Sequence, residues 1–154
     1  LKNKSPQDVK KVVEAEFSLL TSAFFTLPED QSAWMYHRWL LGQVIGLGRT
    51  ISEAKTEQIT RSSTCKLIVS DKKEQIKILN REISMVEELL EVEPDCKWAL
   101  LTLAILLRGL KTRGVDVKGF LEKIAEIFSG LLDLDPMRKQ YYLDMKARLG
   151  GMAS

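Results

Sequence analysis

Cysteine, histidine and proline are all scarce in this chain, at two, one and four of 154 residues. Cys65 and Cys96 stand far apart, without the paired spacing of a disulfide framework or a zinc ribbon, a usage that fits a reducing, cytoplasmic setting. A single histidine, His37, excludes the His-rich ligand sets of zinc enzymes, so a metal held by this chain would need mostly carboxylates. No phosphate-cradling glycine loop is present either. The "GLGRT" stretch has neither the length nor the lysine of a P-loop.

Long apolar runs are missing too. The most apolar stretch, "WALLTLAILL" from Trp98 to Leu107, is far shorter than the roughly 20 residues of a spanning helix and is bounded by Lys97 and Arg108. It reads as a buried core helix, and no membrane span is expected. Charge of one sign is never concentrated: the net charge is +2, and basic residues sit beside acidic ones, as Lys72 and Lys73 do beside Glu74. A duplex binder needs an unpaired basic face to release counterions, so nucleic acid is not an expected partner. There is no leader resembling a signal peptide, and the start at Leu1 suggests a piece of a longer protein.

What remains is the composition of a globular protein, 45% hydrophobic and 29% charged, in one helical-repeat domain over 1–154. Ser5-Pro6-Gln7-Asp8 is a helix start, with Ser as N-cap and Pro at the first helical position. Val9, Val12, Val13, Phe17, Leu20 and Phe24 then mark one face. After Pro28, Asp30 or Ser32 caps a second helix running to about Gln43, with Gly42, Gly46 and Gly48 stopping it. From Asp71, the residues Ile76, Leu79, Ile83, Val86 and Leu90 recur at three and four, the spacing of a packed seam. Pro94 breaks that helix, and Asp95 is placed to cap the next, which ends near Gly109. A third pair begins around Val115 with Phe120, Leu121, Ile124, Ile127, Phe128 and Leu131. Asp135-Pro136 then starts a last helix through Tyr141, Tyr142, Met145 and Leu149. The short "CKLIV" run, residues 65–69, is the one candidate strand.

Each hairpin carries a proline turn followed by an aromatic early in its second helix: Trp34, Trp98, and Tyr141 or Tyr142. One recurring helix pair implies an all-α fold of α-α hairpin repeats, a right-handed α-solenoid, in which neighbours cover each other's apolar faces. Pro94 to Pro136 is one repeat length, but Pro28 to Pro94 is longer. The excess is the Gly-, Ser- and Thr-rich stretch 44–69, expected to be a flexible insertion.

The densest chemistry is "WMYHRWLLGQ", Trp34 to Gln43. His37 lies on the same helix face as Trp34 and Leu40, and its ordinary reading is a core or interface imidazole donating to a carbonyl. As a general base it lacks a nucleophile and an orienting group. Trp34 and Arg38, four apart, are placed to stack, worth about 0.5–1 kcal/mol at an exposed site. Trp39 points to another side, and Trp and Arg are the residues that dominate interfaces. The partner-binding candidates are therefore Trp34, Tyr36, His37, Arg38 and Trp39, with Trp34 as core and Arg38 and Trp39 the best placed to meet another chain. Glu87, Glu88, Glu91 and Glu93 read as a solvated acidic face. No catalytic residue is assigned.

Three segments, "AFFTLPEDQSAWMYHRWLLG", "LLEVEPDCKWALLTLAILLR" and "LLDLDPMRKQYYLDMKARL", together resemble consecutive repeats of the α subunit of type II, or Rab, protein geranylgeranyltransferase. The second keeps Trp98 without a basic residue soon after it, and the third replaces Trp with Tyr, so these repeats are degenerate. The resemblance implies a subunit of a prenyltransferase that moves geranylgeranyl groups from geranylgeranyl diphosphate to C-terminal cysteines of Rab GTPases presented by a Rab escort protein. It implies zinc and the lipid pocket on a partner β subunit and no cofactor in this chain, which serves as scaffold and binding surface. An immunoglobulin-like domain interrupts vertebrate members after the segment matching "YHRWLLG", where this chain has only 44–69. The alternative from another class is a non-enzymatic helical-repeat adaptor.

Overall fold

The computed structural model describes residues 5–48 and 67–151. Among them six α-helices form three hairpins: α1 (Pro6–Thr26) with α2 (Gln31–Ile45), α3 (Lys72–Val92) with α4 (Lys97–Thr112), and α5 (Phe120–Leu134) with α6 (Lys139–Gly151). A single 3₁₀ turn, Pro136–Arg138, leads into α6. The second helices line up, α2 against α4 and α4 against α6, while α1 packs on α3. This is the all-α helical-repeat arrangement the sequence implies, and α4 is its hub, touching α2, α3, α5 and α6. That position explains why α4 is apolar nearly all round, with ten of its residues buried from Trp98 to Leu110.

Local chemistry sets the helix ends. The Ser5 hydroxyl accepts from the Asp8 amide at 3.2 Å and donates to the Asp8 carboxylate at 2.9 Å. Asp30, rather than Ser32, caps α2 by accepting from the Ser32 amide at 3.1 Å. The expected stop of α2 at Gln43 is too early. Gly42 lies inside the helix, which runs to Ile45 and ends at Gly46, where a φ of 74° needs a residue without Cβ.

The last carbonyls of α2 are all satisfied, the final three by sources remote in sequence. Gly42 and Leu41 accept from the amides of Gly46 and Leu47, while Gln43 and Val44 accept from Ile68 at 3.3 Å and Val69 at 2.8 Å. Ile45 accepts from Arg113 Nη2 at 2.6 Å. The same guanidinium donates through Nε to Gln75 Oε1 at 2.9 Å, and Gln75 in turn donates to the Val69 carbonyl at 2.8 Å. This buried clamp fixes where the chain re-enters the fold. Both ends of the expected flexible insertion 44–69 are thus part of the packed structure: Val44, Ile45, Leu47 and Val69 are core residues. Positions 49–66 lie outside the described residues. The candidate strand 65–69 is not one over its described part, because Ile68 and Val69 bond to a helix end instead of to another strand.

Other boundaries also shift. α4 begins after Cys96, not Asp95, and runs past Gly109 to Thr112. α5 begins only at Phe120, because Gly119 takes a left-handed φ of 63° as its N-cap, and residues 115–119 form a turn instead. Its face omits Leu121, which is exposed. In α3 the buried stripe is broader than the expected seam and rotated from it, through Gln75, Ile78, Leu79, Glu82, Ile83, Met85, Val86 and Leu89. Ile76 and Leu90 fall at its margin, since the helix packs on both α1 and α4.

Candidate partner-binding site

The five sequence candidates separate by exposure. Trp34 and His37 face inward, at 3% and 0% exposure, whereas Tyr36 and Trp39 are outside at 40% and 56%. Arg38 lies between them, half-buried. One turn of α2 therefore supplies both core and surface, as the 3.6-residue period dictates for neighbouring positions.

Trp34 does not stack on Arg38. Its ring lies flat on Phe24 of α1, with centroids 3.7 Å apart and 5° between planes. Its indole N–H donates to the Pro28 carbonyl at 2.8 Å, closing the α1–α2 turn. The Cys96 thiol donates to that same carbonyl at 3.4 Å, and burial pushes its pKa up.

His37 donates to a carboxylate where a carbonyl was expected. Its Nε2 lies 2.8 Å from Glu82 Oε1 on α3, with the two side chains 0% and 3% exposed. Edges and faces of Phe17, Phe24 and Trp34 surround the imidazole at 5.3–6.2 Å. Its Nδ1 is buried without a partner. Glu82 Oε2 accepts from Arg81 Nε at 3.0 Å, and Arg81 also pairs with Glu14 of α1 and covers the Phe17 ring at 5.1 Å. The pair cross-links α2 to α3, and it faces no opening. A buried hydrogen-bonded pair with this little access to solvent is structural, and His37 is not positioned for catalysis.

Outside, the Tyr36 and Trp39 rings are stacked at 5.6 Å with 23° between planes. Tyr36 donates to Glu16 at 3.2 Å, and burial together with that carboxylate raises the phenol pKa. Met35 is exposed alongside them.

The more distinctive feature is a cavity of about 320 Å³ where the starts of α2, α4 and α6 converge. α2 contributes Gln31, Trp34, Met35 and Arg38 to it. The other wall is Trp98 and Leu101 of α4, closed by Arg138 and by Tyr141 of α6. Trp98 is clamped from outside, with Lys97 Nζ 5.1 Å and the Arg138 guanidinium 5.0 Å from its ring centroid. Asp135 holds those two cations, 3.6 Å from each, and accepts from the Tyr142 hydroxyl at 2.9 Å. Asp135 thus acts as a tie between α4 and α6 in place of the expected N-cap, having no capping bond to the turn that follows. Burial, then Asp135, raises the Tyr142 phenol well above its usual value.

The cavity gathers the repeat aromatics: Trp34, Trp98 and Tyr141 open successive second helices, and those helices lie side by side. Sequence spacing identified the aromatics and Arg38 but not Gln31, Leu101 or Arg138, which join them only through the packing of α2, α4 and α6. Glu87, Glu88, Glu91 and Glu93 are exposed, as a solvated face requires. Among the described residues no three His, Cys, Asp or Glu side chains come together to hold a metal, and no helix is long and apolar enough to cross a membrane.

No family model matches the chain. Curated proteins do, and they bear out the resemblance carried by the three hairpin segments. Over 95% of its length the chain is 29% identical to the geranylgeranyl transferase type-2 subunit alpha of Dictyostelium discoideum. Over 93% it is 26% identical to that of Schizosaccharomyces pombe, and over 90% it is 25% identical to that of mouse. It spans only 38–40% of the length of these relatives. The alignment with the mouse subunit extends over 229 residues, against 147 for Dictyostelium, so the mouse protein carries additional sequence inside the matched stretch.

Proposed function

We propose that this chain is the helical-repeat portion of the α subunit of a heterodimeric protein geranylgeranyltransferase, serving there as scaffold and partner-binding surface. The reading rests on its similarity to type-2 alpha subunits along 95% of its length. The transferred lipid comes from geranylgeranyl diphosphate bound by the β subunit, and the acceptors are the C-terminal cysteines of Rab GTPases presented by an escort protein. This chain contributes no reacting group. The zinc of such an enzyme is assigned to the β subunit, and no zinc ligand is assigned to this chain.

Partner contact falls to the parts of α2 that the fold leaves accessible. Trp39, with the stacked Tyr36, supplies exposed aromatic area, and Arg38 supplies a directional cation, the types that carry interface energy. Trp34 and His37 act from beneath, holding α2 on α1 and α3. The test is co-expression of the full-length α subunit carrying this chain with a β subunit and an escort protein. Trp39→Ala and Arg38→Ala are expected to weaken assembly with one of the two by tenfold or more, with the α subunit still folded. Unchanged assembly with both overturns the surface assignment. A full-length α subunit that copurifies with no β subunit overturns the transferase reading in favour of an adaptor.

A further inference from the structure

The cavity has a chemical bias that folding does not require. Two arginines line it and, among the described residues, no Asp or Glu does. The two are unequal. Arg138 lies across Trp98 and 3.6 Å from Asp135, so its charge is already answered. Arg38 has no ion pair or hydrogen bond among the described residues, and its Nε is shut off from solvent with no acceptor. A charged guanidinium without an acceptor inside the fold is unfavourable, and Arg38 as a whole is only half-buried, so its remaining N–H groups are the part that a group from outside the chain meets at a surface opening.

The shape of the opening says more. A volume of about 320 Å³ is at the small end of ligand pockets and suits one or two side chains. Its walls are mostly aromatic and aliphatic, with Trp34, Met35, Trp98 and Leu101. A bare inorganic anion would leave those walls uncovered, and a purely apolar group would bury the Arg38 guanidinium without an acceptor. A planar guanidinium offers two parallel N–H groups, which match the two oxygens of a carboxylate.

From this arrangement we infer that the cavity is a receptor for an acidic polypeptide segment, whose Glu or Asp carboxylate pairs with Arg38 while a neighbouring apolar side chain packs on Trp98 and Leu101. The inference deepens the partner-binding role proposed above and rests on it. Arg138, its charge answered by Asp135, closes the rim beside Trp98 and leaves Arg38 as the group that pairs with the carboxylate.

The probe is the capped tripeptide acetyl-Leu-Glu-Leu-amide, compared with its Gln counterpart and with inorganic phosphate, added to the intact protein. Binding is read from tryptophan emission, since Trp34 and Trp98 line the site. The Glu peptide is expected to saturate at a concentration about tenfold below that of the Gln peptide, the ratio one charge-assisted hydrogen bond sets. Arg38→Gln is expected to abolish that ratio, Arg38→Lys to reduce it, and Arg81→Gln, remote from the cavity, to leave it intact. Equal behaviour of the two peptides, discrimination that survives Arg38→Gln, or displacement of the Glu peptide by equimolar phosphate each overturns the inference. These outcomes are independent of copurification with a β subunit, so the receptor and the transferase reading fail separately.

Discussion

Replacing Glu82 by Leu removes the acceptor 2.8 Å from His37 Nε2 and 3.0 Å from Arg81 Nε. Arg81 is 42% exposed and keeps Glu14, so its loss is small. His37 is fully buried and its Nδ1 already lacks a partner, so both ring nitrogens become stranded in an aromatic cage. Each stranded buried group costs about 1–3 kcal/mol, and Glu82→Leu is expected to destabilise by about 3 kcal/mol once the apolar gain of Leu is set against it. His37→Phe fits the same ring cage but leaves the Glu82 carboxylate, 3% exposed, with Arg81 as its one remaining partner among the described residues, again about 3 kcal/mol. The double variant has neither orphan. Well-packed apolar replacements of buried pairs are close to neutral, so it is expected within about 1 kcal/mol of the parent. Urea unfolding followed by tryptophan emission, in a four-protein cycle, measures the coupling, expected at about 5–7 kcal/mol. Single losses that simply add, within about 0.5 kcal/mol, would refute the claim that the two side chains need each other.

Trp34→Ala is expected to cost about 3–5 kcal/mol, by emptying the space against Phe24 and freeing the Pro28 carbonyl, whereas Trp34→Phe keeps the stack and loses about 1 kcal/mol, both read by denaturant titration. Because the folded-state pKa of Tyr142 is raised above its usual value, its contribution to stability is complete below about pH 10, where the unfolded phenol also keeps its proton, and declines as pH rises further. Tyr142→Phe is expected to lower the melting temperature at pH 7 and to flatten its fall between pH 9.5 and 11, and parallel curves would contradict this. In a Cys65→Ser background the Cys96 thiol, buried and raised in pKa, is expected to react with a disulfide reagent only as fast as the protein opens, which a rate that follows urea concentration demonstrates.

The helices were legible because they rest on period and caps. Ser5, Pro6, Asp30, Pro28 and Pro94 act locally, and the three-and-four spacing of Phe17, Leu20 and Phe24 survives in the fold. What sequence spacing could not supply was any contact made across hairpins. Of the glycines expected to stop α2, Gly46 does so and Gly42 does not: it reads as a breaker in isolation, whereas in the fold the carbonyls beyond it find donors at Ile68, Val69 and Arg113. Likewise Asp135 reads as a cap, but Tyr142 and two cations claim its carboxylate. His37 reads as a core or interface imidazole and is fully buried, yet its partner lies on another hairpin, and nothing in "YHRW" points to Glu82. For the site, the aromatic of each repeat was visible, and their convergence was not, because it depends on the second helices lying in one layer.

An elongated array with seams only between adjacent units unzips from whichever end is weaker. With α4 abutting α2, α3, α5 and α6 at once, loosening any hairpin bares the helix on which the other two depend. Such a molecule has one melting event rather than a staircase, and a load applied to its outer helices reaches the opposite hairpin through a single rigid staff.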